Sequence, residues 1–354
     1  MTHAIDTCTK MSRIQKVSIR DLARETGFSP MTVSRALRNS GKVNPETKAT
    51  IRDLADKLGY RQNPLVSANM AGIRASKSVT YQATIGIIHE TPKGGEWMGT
   101  KKLLDATIST AESLGFKTDL FDLANPKVTT HNLSRMLTSR GIQGVIQVPM
   151  IRDFADIPLD FSHFTIVACS SGSLPQKFHR VCPDHYGNMD MLLKHIRSLG
   201  YKRVGLMIAK DLDIHLNHLS SSRFLAFQQT ESIPKIPIFM PDDREDYSPE
   251  RFRIWFKKHR PEIVITTCET IFRNHFFQDA GLGIPNDLAV VKVNINRTRK
   301  YFSGISEESA EVGSTAVNTL AQLLFQNEKG LPEKPMSVLI PGKWIDAGTV
   351  PELV

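Results

Sequence analysis

Two shortages narrow what this chain of 354 residues can be: it has little cysteine and no long apolar run. Cys8, Cys169, Cys182 and Cys268 are scattered, with neither a C-x-x-C pair nor metal-ligand spacing. Four such thiols read as reduced side chains of a cytoplasmic protein, not as a disulfide framework. Nowhere do 18 apolar residues run together, so no membrane-spanning helix is expected. The opening MTHAIDTCTKMSRIQK lacks the apolar stretch of an export signal, which argues against a secreted receptor. Catalytic signatures are missing too. The chain has no G-x-S-x-G, no G-x-x-x-x-G-K-[ST] and no G-x-G-x-x-G. Gly281-Leu282-Gly283 reads as a helix stop, and nothing marks Asp153 and Asp156 as an acid pair. The best metal-like cluster is Asp211, Asp213, His215 and His218 in KDLDIHLNHLS, which reads as a loop and offers no further ligand at metal spacing. No enzyme activity, cofactor or metal is expected.

What is present is a soluble composition, 40% hydrophobic and 23% charged, in a length that holds a small domain and one large or two medium ones. The formal net charge of +9 is unevenly spread. Residues 1–78 carry 14 Lys and Arg against 6 Asp and Glu, while the remaining 276 carry 31 against 30. The positive excess therefore belongs to the N-terminal region, as suits a segment that meets a polyanion.

That region reads as three short helices. Ser18 is an N-cap with Asp21 three residues on; Ile19, Leu22 and Ala23 form an apolar stripe, and Gly27 supplies the left-handed stop. After Phe28, Ser29 caps again and Pro30 takes the first helical position. Val33, Ala36 and Leu37 then face inward. Asn44-Pro45 opens a third helix, with Ile51, Leu54, Ala55 and Leu58 inward, ending at Gly59. Two capped helices joined by a tight turn and braced by a third make a helix-turn-helix, in which the start of the second helix reaches base edges. Here that start is Pro30, Met31, Thr32, Ser34 and Arg35. Arg35 suits the O6 and N7 of a guanine; Thr32 and Ser34 suit phosphates. An ordinary three-helix bundle with a polar face is the alternative, and the local charge favours DNA.

The run SIRDLARETGFSPMTVSRAL, followed by GYRQNP, closely resembles the headpiece of LacI/GalR transcription regulators. Asp21, Ala23, Gly27, Ser29, Thr32, Val33, Ser34 and Arg35 carry the likeness. The resemblance implies that Pro30 and Met31 sit where operators are chosen and Arg35 where an arginine is kept. Arg38 stands where many members have asparagine, with Asn39 one step later. It also implies a hinge helix opening at Asn63-Pro64 that wedges an apolar side chain into the minor groove. Counting from Tyr60 puts Asn69 at the wedge position, and counting back from Ala71-Gly72 puts Met70 there; Met70 is chemically the better wedge. A plain linker is the other reading of so short a segment.

From Thr84 onward short apolar runs alternate with helical ones. Strand-like runs at 85–88, 117–123, 144–148 and 165–168 precede a helix over 187–199. A second series of strands at 203–208, 237–240, 263–266 and 289–293 alternates with helices over 223–230, 249–259 and 271–280. The helix 309–325 and the strand 336–340 close it. Such alternation implies parallel sheets covered by helices, and the break near Gly200 implies two doubly wound lobes with a ligand cleft at the carboxyl ends of their strands. Weaker motifs extend the LacI/GalR likeness to about Thr349, and the short stretch after Trp344 implies a dimer.

The expected fold is thus an all-α helix-turn-helix headpiece plus an α/β body of two doubly wound parallel-sheet lobes of periplasmic-binding-protein type. The expected boundaries are a flexible extension over 1–15, the DNA-binding domain over 16–62, hinge helix and linker over 63–82, and an effector-binding and dimerisation body over 83–354. DNA contacts are expected from Ser18, Ser29, Pro30, Met31, Thr32, Ser34, Arg35, Arg38, Asn63, Asn69 and Met70. For the effector, position-by-position likeness implies Arg223, Glu269 and Asn294; His89, Glu90, Trp97 and Ser170 lie near strand ends. Arg223 reads equally as a ligand contact or as half of an ion pair. For His89, Trp97 and Ser170 a purely structural role is the stronger reading. The expected protein is a cytoplasmic, homodimeric regulator, most simply a repressor, that binds a near-palindromic double-stranded operator under control of a sugar or related metabolite, with no membrane partner. The rivals are an effector-independent DNA-binding regulator, and a small-molecule receptor or enzyme whose headpiece docks protein.

Overall fold

The computed structural model describes residues 19–37, 43–58, 83–91, 98–150, 157, 159–172, 177–231, 233–242, 247–267, 275–295 and 302–353. The chain divides into two compact units, Met1–Lys77 and Ser78–Val354.

The first unit contains α1 (Ile19–Thr26), α2 (Pro30–Leu37) and α3 (Pro45–Lys57). Gly27 turns the chain between α1 and α2 at φ +70°, a conformation that costs glycine nothing. The Ser29 hydroxyl then accepts from the Thr32 N–H at 3.1 Å, so α2 opens at its cap-and-proline pair. Asn44 does the same for α3, accepting from the Glu46 N–H at 3.0 Å. Each helix contributes one stripe to a single small core: Leu22 and Ala23 from α1, Val33 and Ala36 from α2, Ile51 and Ala55 from α3, with Val43 closing it. Leu58 departs from the expected inward face and is exposed. It is the C-cap of α3, one step past the last helical position and off the buried stripe.

The second unit carries two sheets. The first orders its strands β10-β5-β4-β3-β1-β2, all parallel, from β1 (Ala83–His89), β2 (Phe116–Asp122), β3 (Gly144–Gln147), β4 (Thr165–Ala168), β5 (His179–Pro183) and β10 (Ser337–Ile340). The second orders β11-β9-β8-β7-β6, from β6 (Val204–Met207), β7 (Ile263–Thr266), β8 (Ala289–Ile295), β9 (Ser303–Ser306) and β11 (Lys343–Ile345), with only β11 antiparallel among these pairs. Helices α4 (Met98–Ser113), α5 (Thr130–Ser139) and α11 (Ser309–Phe325) belong to the first lobe. The second lobe holds α6 (His185–Ser198), α7 (Lys210–His215), α8 (Leu219–Thr230), α9 (Pro249–His259) and α10 (Phe276–Asp279). The four-residue strands β3, β4, β6 and β7 are buried at every position, which is why they read as mostly apolar runs, broken only at their ends by Gln147, Thr165 and Thr266.

The division between lobes differs from a single break near Gly200. The chain leaves the first lobe at residues 183–185, since α6 buries Met189, Leu192, Leu193 and Ile196 against Val204, Leu206 and Ile263 of the second. It returns after β9: α11 packs on α4 and on β3, β4 and β5, and β10 pairs with β5. It crosses a third time between β10 and β11. The three crossings are tied together. The Asp184 N–H donates to Ile340 O at 2.9 Å, the Gly342 N–H donates to Asn188 Oδ1 at 2.7 Å, and His185 Nδ1 lies 3.4 Å from Glu307 Oε1. Gly342 must be glycine for this, because a Cβ there would collide with Ile305 and the Ser306 carbonyl.

Several expected elements are redrawn. The KDLDIH segment is a short helix, α7, instead of a loop, and residues 237–240 form a lone bridge from Phe239 to Met207 instead of a strand. Of the helix expected over 271–280, the described part is Phe276–Asp279. Strands β5 and β9 were not expected. β9 hides its polar residues by pairing them: the Ser303 hydroxyl donates to Asp346 Oδ1 at 2.9 Å and its N–H to Thr349 Oγ1 at 2.9 Å.

Candidate DNA-binding unit and effector cleft

In the first unit, α1 and α2 meet through the Gly27-Phe28-Ser29 turn, and Phe28 is half-buried against the core. Pro30, Met31, Thr32, Ser34 and Arg35 all lie on α2, with Pro30 opening it. The exposed Ser29 hydroxyl lies 2.9 Å from that of Thr32 in a shared hydrogen bond, which leaves both oxygens at the mouth of the helix. The N-terminal turn of such a helix presents N–H groups and a partial positive charge suited to phosphate. Ser18, Arg38, Asn63, Asn69 and Met70 lie outside the described residues.

In the second unit the carboxyl ends of the strands gather the other candidates. His89 ends β1 directly beside Asp122, its register partner at the end of β2, with Nδ1 and Oδ1 4.0 Å apart. Burial pushes the Asp122 carboxyl up, but the Thr91 hydroxyl at 2.7 Å and the Thr91 and Ala124 N–H groups outweigh it and hold the group below the usual carboxylate range. Asp122 escaped sequence reasoning; its position level with His89 on the neighbouring strand was the available signal. Glu90 follows β1 and is half-buried. The Ser170 hydroxyl follows β4 and accepts from the Gly172 N–H at 3.2 Å, closing its own turn. Trp97 and Glu269 lie outside the described residues.

Arg223, on α8, is engaged by Asp190 of α6: Nε is 2.8 Å and a terminal nitrogen 2.7 Å from Asp190 Oδ1. Lys194 reaches the same carboxyl at 2.8 Å. The hydrogen bonds from Lys194 and Arg223, against the cost of burial, hold Asp190 low. The geometry supplies the ion-pair half of the two readings of Arg223.

The metal-like cluster has a different use. Asp213 Oδ2 accepts from His218 Nδ1 at 2.8 Å and from the Ser221 hydroxyl at 2.8 Å. Those bonds brace a turn in which Asn217 and His218 both take positive φ, 52° and 58°. The turn touches the first lobe. Asn217 Nδ2 donates to Ser171 O at 3.0 Å, and the His215 ring faces Gly172 closely enough that a Cβ there would lie 3.0 Å from its Cε1. Among the described residues no three His, Cys, Asp or Glu side chains are grouped to hold a metal ion.

One further property collects at these strand ends. Asp213 Oδ1, Ser220 Oγ, Thr267 Oγ1, Asn294 Oδ1 and Asn188 Nδ2 are buried with no hydrogen-bond partner. Asp213 and Ser220 follow β6, Thr267 follows β7, Asn294 lies at the end of β8, and Asn188 lies in the first turn after β5. Buried polar groups without a protein partner are met by ordered water or by a bound molecule.

A helix-turn-helix on one unit and two doubly wound sheets on the other make the architecture of a DNA-binding headpiece with a two-lobed body. The family model "Bacterial regulatory proteins, lacI family" matches residues 18–63. Catabolite control protein A of Staphylococcus xylosus is 23% identical over 353 residues, spanning 94% of this chain and 99% of the relative. Among solved structures, a CelR–cellobiose complex superposes at TM-score 0.59 with 14% identity, over 94% of this chain and 99% of that one. The lac repressor dimer bound to operator and the anti-inducer ONPF superposes at 0.57 with 17% identity, over 95% and 100%. Residues 18–63 thus carry the DNA-binding unit of the lacI family, and over nearly its whole length the chain is similar to regulators of that kind.

Proposed function

We propose that the protein is a homodimeric repressor that binds a near-palindromic operator and changes its affinity for that operator when a small metabolite enters the cleft between its lobes. The observation that carries the effector half is the set of unpartnered buried polar atoms at the carboxyl ends of β5 to β8. The DNA half rests on the capped turn at Ser29 and the family match over 18–63. In this reading Pro30, Met31, Thr32, Ser34 and Arg35 read bases, Ser18, Ser29 and Arg38 hold phosphates, and Asn63, Asn69 and Met70 act at the minor groove. His89, Glu90, Trp97, Ser170, Glu269 and Asn294 line the effector site, with Arg223 set by Asp190. The protein works in the cytoplasm and catalyses nothing; the relatives are regulators, two of them solved with a small molecule bound.

The test is selection of binding sites from random duplexes, repeated with and without a metabolite extract. Enriched inverted repeats, and a steep fall of affinity with salt, are expected. Protein that shows no preference among duplexes defeats the DNA reading, and an extract without effect on operator retention defeats the effector reading.

A further inference from the structure

We propose that the outer face of α9 docks an acidic segment of a partner protein, one that sets an apolar side chain between carboxylates. Ile254 is the centre of that face and is 62% exposed. Lys257 and Lys258 follow it by three and four residues, so all three share one side of the helix. Both lysines are exposed, as are Arg260, just past the helix, and Lys202. Lys202 is brought close by its neighbour: Arg203 donates from Nε to Arg260 O at 2.7 Å and from a terminal nitrogen to His259 O. The cluster lies at the amino ends of β6 and β7, whereas the effector reading concerns their carboxyl ends, so this surface is independent of that reading.

The charge here is local and uncancelled. From Pro249 to Glu262 the chain carries 5 Lys and Arg against 2 Glu, although residues 79–354 as a whole hold 31 against 30. Glu262 Oε2 accepts from the backbone N–H groups of Lys202 and Arg203, at 2.7 and 2.9 Å. No carboxylate among the described residues pairs with the side chain of Lys202, Lys257, Lys258 or Arg260. Burial holds the His259 imidazole below its usual range, and the charges of Lys258 and Arg203 add to that, the mark of an excess of cations.

Cations in the last turn of a helix also answer its dipole, but Arg203 already meets the last carbonyls of α9. An isolated exposed isoleucine needs no explanation. One set beside unpaired cations has the anatomy of an interface, an apolar centre with a charged rim. A phosphate backbone would use the cations and leave Ile254 in water. A second copy of this chain would bring like charges together across a two-fold axis. An acidic protein segment matches both the rim and the centre.

The test is fluorescence polarisation on the full chain with a labelled peptide in which leucines alternate with glutamate and aspartate. The double variant Lys257→Gln, Lys258→Gln should weaken the peptide about fivefold and flatten its salt dependence. Ile254→Ser should weaken it about threefold, and a peptide whose leucines are replaced by serine should not respond to that substitution. The headpiece is unchanged in every variant, so peptide held there would bind all of them alike. Zero-length carbodiimide coupling should join peptide carboxylates to Lys257 or Lys258. Peptide affinity that is equal in wild type and in both variants overturns the proposal. It is also overturned if the double variant loses as much affinity for a non-operator duplex as for the peptide, which would make the face a nucleic-acid surface. Sedimentation that finds the variants dissociated into monomers would make it a subunit contact and overturns the proposal too.

Discussion

Leu22→Ala should switch off DNA binding without disturbing the body, and the size of the effect can be worked out. Leu22 is fully buried in a small core that has seven buried members among the described residues, where α1 meets α2 and α3. Replacing a buried leucine by alanine costs about 2–5 kcal/mol, the upper end where neighbours cannot collapse into the gap. A domain as small as this headpiece has only roughly 2–7 kcal/mol of stability in total, at about 0.05–0.15 kcal/mol per residue. The two ranges overlap, so the substitution consumes most of the folding free energy of the headpiece. The body has its own cores and shares none of these side chains. Calorimetry should therefore show the headpiece transition lost or shifted far down, with the body transition unmoved, and gel shifts should lose the operator complex. Operator binding at wild-type strength by Leu22→Ala would refute the assignment of this core to the reading unit. A fall in the body transition would refute the independence of the two units.

Ser29→Ala removes the cap on α2 and should cost about 1 kcal/mol of headpiece stability, read as a lower first transition. Arg35→Ala should cost about 1–3 kcal/mol on the selected operator and relax preference at one base position, checked by repeating the site selection. Asp122 and Asp190 are both held low in the folded body. Their stabilisation is therefore fully present above the unfolded carboxylate pKa of about 3.9 and is lost as pH falls through the folded values. Acid titration of the body should show stability falling below about pH 4, and Asp122→Asn should flatten that limb. Burial pushes the Cys169 and Cys182 thiols up, so site-resolved alkylation at neutral pH should leave both unmodified until the body unfolds.

How much of this was legible depends on whether the signal was local. The headpiece was written in short-range chemistry: Ser29-Pro30 and Asn44-Pro45 specify where helices begin, and the Ser29 and Asn44 cap bonds are formed within three residues. The fully buried strands announced themselves as apolar runs. β9 did not, because Ser303 and Ser306 are buried polar residues, and the Ser303 partners, Asp346 and Thr349, lie far along the chain. Which lobe a segment joins was equally invisible. Periodicity marks α11 as a helix with an apolar face, but nothing local says that this face meets α4 and not the sheet just left behind. The same limit applied to Arg223, whose partner Asp190 stands on another helix, and to Asp213, whose role as brace of the Asn217-His218 turn appears only once the helix α7 is in place.

The crossings bear directly on control. Three crossings join the lobes, and the bonds of Asp184, His185 and Asn188 hold those crossings side by side, which limits how the lobes can move relative to each other. Away from the crossings, the Asn217–Ser171 bond and the His215–Gly172 contact join the lobes at the turn that Asp213 braces. A single hydrogen bond of that kind is worth about 0.5–1.5 kcal/mol net, too little to hold the lobes against a competing state by itself. Moving a two-state equilibrium from 1:99 to 99:1 requires about 5.5 kcal/mol of differential binding. Each buried polar atom that gains its first partner recovers about 1–3 kcal/mol, so a ligand that met three or four of the atoms between Asn188 and Asn294 in one arrangement of the lobes and not in the other would supply that amount. Under the function proposed above the linkage is reciprocal, so operator DNA would change the affinity of the ligand by the same factor, which titration of the ligand with and without operator checks.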